Sequence, residues 1–488
     1  MSTRPAALKV KLEKLELQVT LALALALGGA LAAVAACGGA SPAGQAPQAA
    51  PHEQAIAITG VTVIHPGADG AAMQEADRTV VLTGDRIAAV GPTASTRPPQ
   101  GARVIDGHGR WLIPGLIDSH VHFFQSGNPF TRPDAADFND VVPYAQEVAR
   151  NKARLPATFK VWLASGVTSV LDCGGPMWNF EVRDRARKSE AAPRVLVAGP
   201  LVSLVDRPAL ALDDPPIIKA TTPDEARQLV ERQLPHHPDF IKVWFIHLPT
   251  GDLASEEKIV RAAGDAAHAA GLRLLVHATE LDTAKAAMRA GADILVHSVF
   301  DRVVDDEFLA MASRRHVILI PTLWVTGGYA AVLAGTFTPT EEERRLADPQ
   351  ILAAMSKVPR VDPVRGSRPI PPAALESLPR LWAAGITVAL GTDAGNIGTL
   401  HGPSVFREAR MMVQAGLTPA QVLRSATVNG ARVLGLEAEL GDVAVGRRAD
   451  LVLLDADPLA SVDNLARAHL VFRAGRVFDP VELMASIR

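Results

Sequence analysis

The chain reads Pro-Gly-Leu-Ile-Asp-Ser-His-Val-His over residues 114–122. An apolar run leads into this stretch and predicts a β-strand over residues 112–118. Side chains two positions apart in extended chain point to the same side, so the imidazoles of His120 and His122 can reach one metal ion. The stretch therefore predicts a strand that ends in a candidate metal site.

Seven further runs of this kind follow along the middle of the chain. Most are continuously apolar, which is typical of parallel strands covered on both faces. Eight strand–helix units and the absence of a Gly-rich phosphate loop predict an α/β fold of the (β/α)8 TIM-barrel class rather than a doubly wound sheet. The other predicted strands cover residues 167–173, 194–201, 239–245, 272–278, 292–298, 317–323 and 386–393.

Polar side chains stand at the ends of four more of these strands. They are Lys242, His277, His297 and Asp393. Each alone has an ordinary explanation, because a single strand-end His is usually structural and an Asp after Gly-Thr is often a turn residue. Chemistry in a TIM barrel lies at the carboxyl ends of the strands. Six polar residues at five such ends therefore predict one shared site.

These strand ends resemble the amidohydrolase superfamily of metal-dependent hydrolases. The resemblance extends over about residues 55–480 and includes a C-terminal signature, with Leu-Thr-Pro at 417–419 and Ala-Asp-Leu-Val at 449–452. It implies an enzyme that hydrolyses a C–N bond of a small molecule: an amide, a dipeptide such as Xaa-Pro, or a cyclic amide. The same centre serves lactones and phosphotriesters elsewhere in the superfamily, so the bond type stays open.

The resemblance also implies a binuclear centre with two divalent metal ions, expected to be Zn²⁺. Lys242 would carry a CO2-derived carbamate, since an ammonium has no lone pair with which to bind a metal. The metals lower the pKa of a bridging water and polarise the scissile carbonyl. The resemblance further implies that Asp393 takes the proton from the attacking hydroxide and passes it to the leaving amine, and that His297 contributes to catalysis through its metal or by orienting the substrate. The implied ligands are His120, His122 and Asp393 for one metal, His277 and His297 for the other, and Lys242 as the bridge.

Two further residues are candidates for binding the substrate. Glu280, three positions after His277, resembles the proton-handling Glu of mononuclear deaminases and imidazolonepropionases; alternatively it opens the next helix, where an acid complements the helix dipole. Lys242 favours the binuclear centre, because the mononuclear members lack a lysine there. His401 follows the eighth strand and is a candidate for contact with the substrate; alternatively, it is an exposed loop histidine without a functional role. A catalytically inactive, lipid-anchored binding protein is a third hypothesis, which the complete ligand set disfavours.

The composition excludes several classes of protein. The 488 residues are 48% hydrophobic and 21% charged, which excludes a disordered chain and leaves ample apolar mass for a core. Lys plus Arg number 49 against 52 Asp plus Glu, for a net charge of −3, which argues against a nucleic-acid partner. Two cysteines exclude a disulfide framework.

The amino terminus resembles a bacterial lipoprotein signal. Basic residues precede an apolar run that ends in small residues before Cys37. We predict a signal peptide over residues 1–36, a lipid anchor on Cys37 and a flexible tether over residues 37–54. The protein would then be exported and held at a membrane by its anchor. A transmembrane anchor and ordinary signal cleavage are the alternatives.

Both ends of the remaining chain are rich in short β runs broken by Gly and Pro. They predict one small β-sandwich domain formed by residues 55–112 and 437–488. The barrel then covers residues 113–436, with an insertion at about 324–385 that we expect to form a lid. Association into a homo-oligomer stays open.

Overall fold

The computed structural model describes residues 54–357 and 370–487. The predicted signal peptide, Cys37 and nearly all of the predicted tether lie outside them. Within the described residues, no helix has the length and apolar character needed to cross a membrane. The strands are β1 Ile56–Ile64, β2 Gln74–Thr83, β3 Arg86–Pro92, β4 Arg103–Asp106, β5 Trp111–Pro114, β6 Leu116–Val121, β7 Val167–Asp172, β8 Arg194–Val197, β9 Leu201–Ser203, β10 Ile217–Lys219, β11 Phe240–Trp244, β12 Arg273–His277, β13 Ile294–Val296, β14 Ile318–Ile320, β15 Leu451–Leu454, β16 Ala468–Arg473 and β17 Arg476–Phe478.

Helices alternate with the strands through the middle of the chain. Most of these helices end a few residues before the next strand, to which a short turn connects them. The α-helices are α1 Tyr144–Ala164, α2 Asn179–Lys188, α3 Pro223–Glu231, α4 Leu253–Ala269, α5 Leu281–Arg289, α6 Asp306–Arg314, α7 Trp324–Leu333, α8 Glu341–Leu346, α9 Pro349–Met355, α10 Pro372–Ala383, α11 Ser404–Gln414, α12 Pro419–Arg424, α13 Gly430–Leu434 and α14 Pro480–Ala485.

A β-domain contains strands from both ends of the described chain. Its strands are ordered β17-β16-β15-β5-β1-β2-β3, and β4 pairs with β1. Alternate side chains of these strands are buried together, among them Ile58, Val80, Leu451 and Phe472. Burial of these apolar side chains is what joins the two ends of the chain. The predicted two-ended β-domain is confirmed.

The β-domain and the barrel meet at Gly115. The strand predicted over residues 112–118 is two strands, because β5 pairs with β1 and β15 whereas β6 pairs with β7 in the barrel. The Gly115 N–H donates to the carbonyl of Asp450 (2.8 Å), and a side chain at position 115 would collide with Thr168. Because both strands are buried, their residues form one apolar run, and the sequence pattern does not indicate the boundary between them.

The barrel forms as predicted, with parallel strands from β6 to β14. Segment 387–393 occupies the eighth position: Leu319 N donates to Thr387 O (2.9 Å) on one side, and Ser119 N to Leu390 O (2.9 Å) on the other. This segment is not the regular strand that the sequence predicts, since it pairs by isolated bridges. The predicted third strand, 194–201, is likewise broken, into β8 and β9.

The predicted insertion contains α7 to α10, and α7 packs on the loop that follows segment 387–393. Trp324 Nε1 donates to Gly398 O (3.0 Å). Gly398 has φ +81°, and a Cβ there would lie 2.6 Å from the backbone of Gly328 on α7. This close approach sets the distance between α7 and the loop.

Replacing Gly398 with Ala tests the close approach. Gly271 is a matched control, because it has φ +73° but nothing within 4 Å of an added Cβ. Gly271→Ala should destabilise by about 1–2 kcal/mol from the backbone alone. Gly398→Ala should add about 1–3 kcal/mol for overpacking. Thermal unfolding of both variants measures the difference, and equal losses would show that the contact has no energetic weight.

Candidate metal centre

Three side chains converge where β6 meets segment 387–393. His120 Nε2 lies 3.3 Å from His122 Nε2, and Asp393 Oδ1 lies 3.5 Å and 3.2 Å from these two atoms. All three residues are buried. A tetrahedral site with metal–nitrogen distances of about 2.0–2.1 Å places its ligand atoms about 3.3–3.4 Å apart. The spacing therefore fits one divalent metal.

The hydrogen bonds around His122 orient its ring for metal binding. Its Nδ1 donates to Gly174 O (2.7 Å), which leaves Nε2 facing Asp393. The Asp172 carboxylate, at the end of β7, accepts from Phe123 N (2.9 Å) and Gly174 N (3.0 Å) and so fixes the loop that carries this carbonyl. A partner on the second nitrogen is the usual way in which a metal-binding histidine is held.

Lys242, His277 and His297 line the same cavity of about 430 Å³ as the three residues above. The ring centroids of His277 and His297 are 4.5 Å apart, and those of His120 and His297 are 4.9 Å apart. His297 Nδ1 lies 2.6 Å from Thr322 Oγ1, which leaves Nε2 for another partner. The fold thus brings together all six predicted ligands.

Burial disfavours the protonated form of His120, His277 and His297. It lowers the pKa of His120 and His277 well below 6.5 and that of His297 to about 3. Neutral imidazole is the form that binds a metal. The donor set and its protonation state therefore both fit divalent metals.

The Lys242 amine has the least ordinary environment in the cavity. The side chain is buried, and Nζ has no hydrogen-bond partner among the residues that the structure describes. Burial lowers the pKa of Lys242 to about 8. An unpaired buried ammonium is costly, so this position fits a group that gains its partners from a modification or a ligand.

Three residues of the centre have strained backbones. The φ angles of His297, Thr322 and Asp393 are +73°, +45° and +57°. Residues with a Cβ lose about 1–2 kcal/mol in this region, and such strain concentrates at functional sites. The same type of backbone conformation occurs outside the centre, so the strain accompanies the site and does not by itself identify it. The residues concerned are Asp77, His237, His316 and Ala474.

Asn396 orients the Asp393 carboxylate. Its Oδ1 accepts from Arg132 Nη1 (2.8 Å) and from the Tyr329 hydroxyl (2.6 Å). Two donors on Oδ1 fix the amide, whose Nδ2 donates to Asp393 Oδ1 (2.7 Å). Arg132 and Asn396 belong to no motif in the sequence. Only the spacing of three residues between Asp393 and Asn396 could have indicated this contact.

His401 and Glu280 lie apart from the cavity. His401 Nε2 donates to the main-chain carbonyl of His122 (3.0 Å), and its ring stacks on Phe123 at 5.5 Å. It lines a separate cavity, and its contact with a substrate stays a prediction. Glu280 directly precedes α5 and accepts from Thr279 Oγ1 (3.3 Å). Neither side chain is among the described residues that line the 430 Å³ cavity.

Comparison with known proteins gives a consistent result. The model of the Amidohydrolase family matches residues 111–478. The chain is 28% identical to an imidazolonepropionase of Cutibacterium acnes, over 81% of this chain and 86% of that protein. It is 24% identical to a 5-methylthioadenosine/S-adenosylhomocysteine deaminase of Symbiobacterium thermophilum, over 78% and 80%. A crystal structure of a Xaa-Pro dipeptidase with bound methionine has the same fold, with TM-score 0.66, 21% identity and coverage of 87% and 100%.

Proposed function

Since this chain belongs to the amidohydrolase family and is a hydrolase of C–N bonds, we propose that it cleaves an amide, dipeptide or cyclic-amide bond at a binuclear metal centre. One observation carries the proposal: the six side chains that the sequence selects from five strand ends all line one cavity. A cavity of about 430 Å³ has the size of a small-molecule site.

Each residue has a part in this centre. His120, His122 and Asp393 would hold one metal, His277 and His297 the other, and carboxylated Lys242 would bridge them. When bound, the metals lower the pKa of a coordinated water and polarise the scissile carbonyl. The unpartnered Lys242 Nζ supports the carbamate, because neutral amine is the form that reacts with CO2 and a carbamate supplies two oxygen ligands.

Asp393 would move the proton during the reaction. Asn396 donates to its Oδ1, which is also the atom nearest the two histidines. Oδ2 is therefore the oxygen available to take a proton from the attacking water and deliver it to the leaving amine. Tyr329 and Arg132 hold Asn396 and so fix the direction in which that oxygen points.

A mononuclear deaminase or imidazolonepropionase-type reaction using Glu280 is the second candidate. Two relatives with these names favour it, and Glu280 Oε2 is buried without a hydrogen-bond partner among the described residues. Its weakness is the position of Glu280 outside the cavity lining. The two candidates differ in metal number, which is measurable.

Removal and return of metal tests the proposal. The purified protein should contain two divalent metals per chain by elemental analysis. Dialysis against a chelator should abolish hydrolysis of C–N bonds in a screen of N-acyl amino acids, dipeptides and cyclic amides, and Zn²⁺ should restore it. One metal per chain would support the mononuclear candidate. Hydrolysis that survives complete metal removal would contradict both.

A further inference from the structure

The cavity has a second group of charged side chains besides the metal candidates. Arg132 follows β6, and Arg207 lies in the loop after β9. Asp134 lies between them, and Trp244, at the end of β11, completes the group. All four line the cavity. No step of the proposed hydrolysis uses Arg207 or Trp244.

Arg132 is held by the protein itself. Its Nε and Nη2 donate to the two oxygens of Asp134, each at 2.7 Å, and its Nη1 donates to Asn396. Although burial opposes ionisation, Arg132 holds the pKa of Asp134 below its usual value. The pair is therefore a bidentate ion pair that neutralises itself. This ion pair stabilises the loop after β6.

Arg207 is less completely paired. Nη1 donates to the main-chain oxygen of Asp206 (3.0 Å), and Nε is 3.5 Å from Asp134 Oδ2, whose carboxylate already serves Arg132. Among the described residues, the hydrogen bond of the Arg207 side chain is made by Nη1, and Nη2 has no partner. The side chain is 34% exposed and lies against the cavity. Its guanidinium stacks over the ring of Trp244 at 4.8 Å.

The arrangement leaves the Arg207 guanidinium without a carboxylate oxygen closer than 3.5 Å among the described residues. Arg132 takes both oxygens of Asp134, and the Asp206 carboxylate accepts from the Arg207 main-chain N–H (2.8 Å) rather than from its guanidinium. The guanidinium lies in the cavity next to the apolar side chains of Leu201 and Ile217, whereas Asp206 is not among the described residues that line it. Stacking on Trp244 covers a face of the Arg207 guanidinium and leaves its edge to donate. That edge suits a carboxylate, which accepts two parallel N–H groups from one arginine.

We propose that Arg207 binds a carboxylate of the substrate and selects for acids over neutral amides. The proposal rests on the proposed function and narrows its substrate class to N-acyl amino acids or peptides with a free carboxyl group. Arg132 and Asp134 position the guanidinium, and Trp244 supports it. A substrate with a neutral carboxamide in place of the carboxylate would leave the Arg207 guanidinium without a negatively charged partner.

Matched substrates test the proposal. Acetate release would be measured for N-acetyl derivatives of the standard amino acids and for the corresponding carboxamides, with the zinc-loaded protein. The wild type should favour the acid by about 10- to 100-fold in kcat/KM, the value of a hydrogen bond to a charged group. Arg207→Met keeps an unbranched side chain against Trp244 but removes the charge and the N–H donors, so it should reduce this preference to within about threefold. Arg207→Lys keeps the charge and should retain part of the preference.

Arg227→Met is the control, because Arg227 is an exposed residue of α3 that pairs with Asp224. It should leave the preference unchanged. Equal hydrolysis of acids and carboxamides by the wild type would overturn the proposal, as would equal losses for both series in Arg207→Met.

Calorimetry separates this proposal from the proposed function. If neither the acids nor the carboxamides are hydrolysed, the proposed hydrolysis of these amides is wrong. Titration of the same compounds into the wild type and into Arg207→Met then tests the carboxylate subsite directly. Binding of the acids that is lost in Arg207→Met supports the subsite. Binding that is unaffected by the substitution, or absent from the wild type, overturns it.

Discussion

Asp393→Asn is expected to lower kcat by about 10²- to 10⁴-fold while leaving most of the metal bound, because only the proton-accepting oxygen is exchanged. Asn396 donates to Asp393 Oδ1, the oxygen nearest His120 and His122. In the variant the amide oxygen can keep both contacts, whereas the amide nitrogen replaces Oδ2. The loss should therefore appear in kcat more than in metal content.

Elemental analysis and steady-state kinetics on the same preparations measure the two effects. Asp442→Asn is a suitable control, since Asp442 is a partly buried carboxylate that pairs with His65 Nδ1 at 2.9 Å and does not line the cavity. It should leave kcat unchanged. Full turnover in Asp393→Asn would remove Asp393 as the base, and loss of turnover together with all metal would reduce its role to that of a ligand.

Lys242→Met is the second variant with a large expected effect. It should remove the bridge between the metals, lower metal content toward one per chain, and lower kcat by about 10³-fold or more. Folding should not suffer, because Met fills the volume of a buried amine that has no hydrogen-bond partner among the described residues. When the variant and the wild type are both measured free of metal, the expected pattern is thus an unchanged or raised Tm, together with lost activity of the metal-loaded variant.

Lys242→Ala adds a positive test. The space left by the side chain should admit a small carboxylate, so acetate should restore part of the activity to Lys242→Ala and none to Lys242→Met. Lys160→Met, on the exposed side chain that bonds Ser486, serves as the control. Two metals per chain with normal turnover in Lys242→Met would contradict the bridging role.

The ligand set could be predicted because each of its residues ends an apolar run. A barrel gathers the carboxyl ends of its strands, so His277 and His297 meet although 19 residues separate them in sequence. Their proximity depends only on the order of the strands and on the alternation of strands with helices. The pattern of apolar residues predicts both. The (β/α)8 fold was predictable for the same reason.

Residues whose positions depend on loops could not be predicted. Arg132, Arg207 and Asn396 come from three different loops, and their contacts depend on loop paths that carry no periodic signal. His401 shows the same limit, because its ring turns toward Phe123 and the main chain of His122. The boundary at Gly115 could not be predicted for a different reason. Both strands beside it are buried, so their residues form one continuous apolar run in the sequence.

The single-residue junction at Gly115 makes the position of β6, which carries His120, depend on the pairing of β5 with residues 451–454. Only Gly115 separates β5 from β6, which contains His120 and leads directly into His122. β5 pairs with β15, which follows the whole barrel in sequence. Such a pairing has high contact order and closes late in folding. We therefore expect a chain that lacks residues 451–478 to carry a misplaced β6 and to bind metal poorly, which metal content per chain would measure.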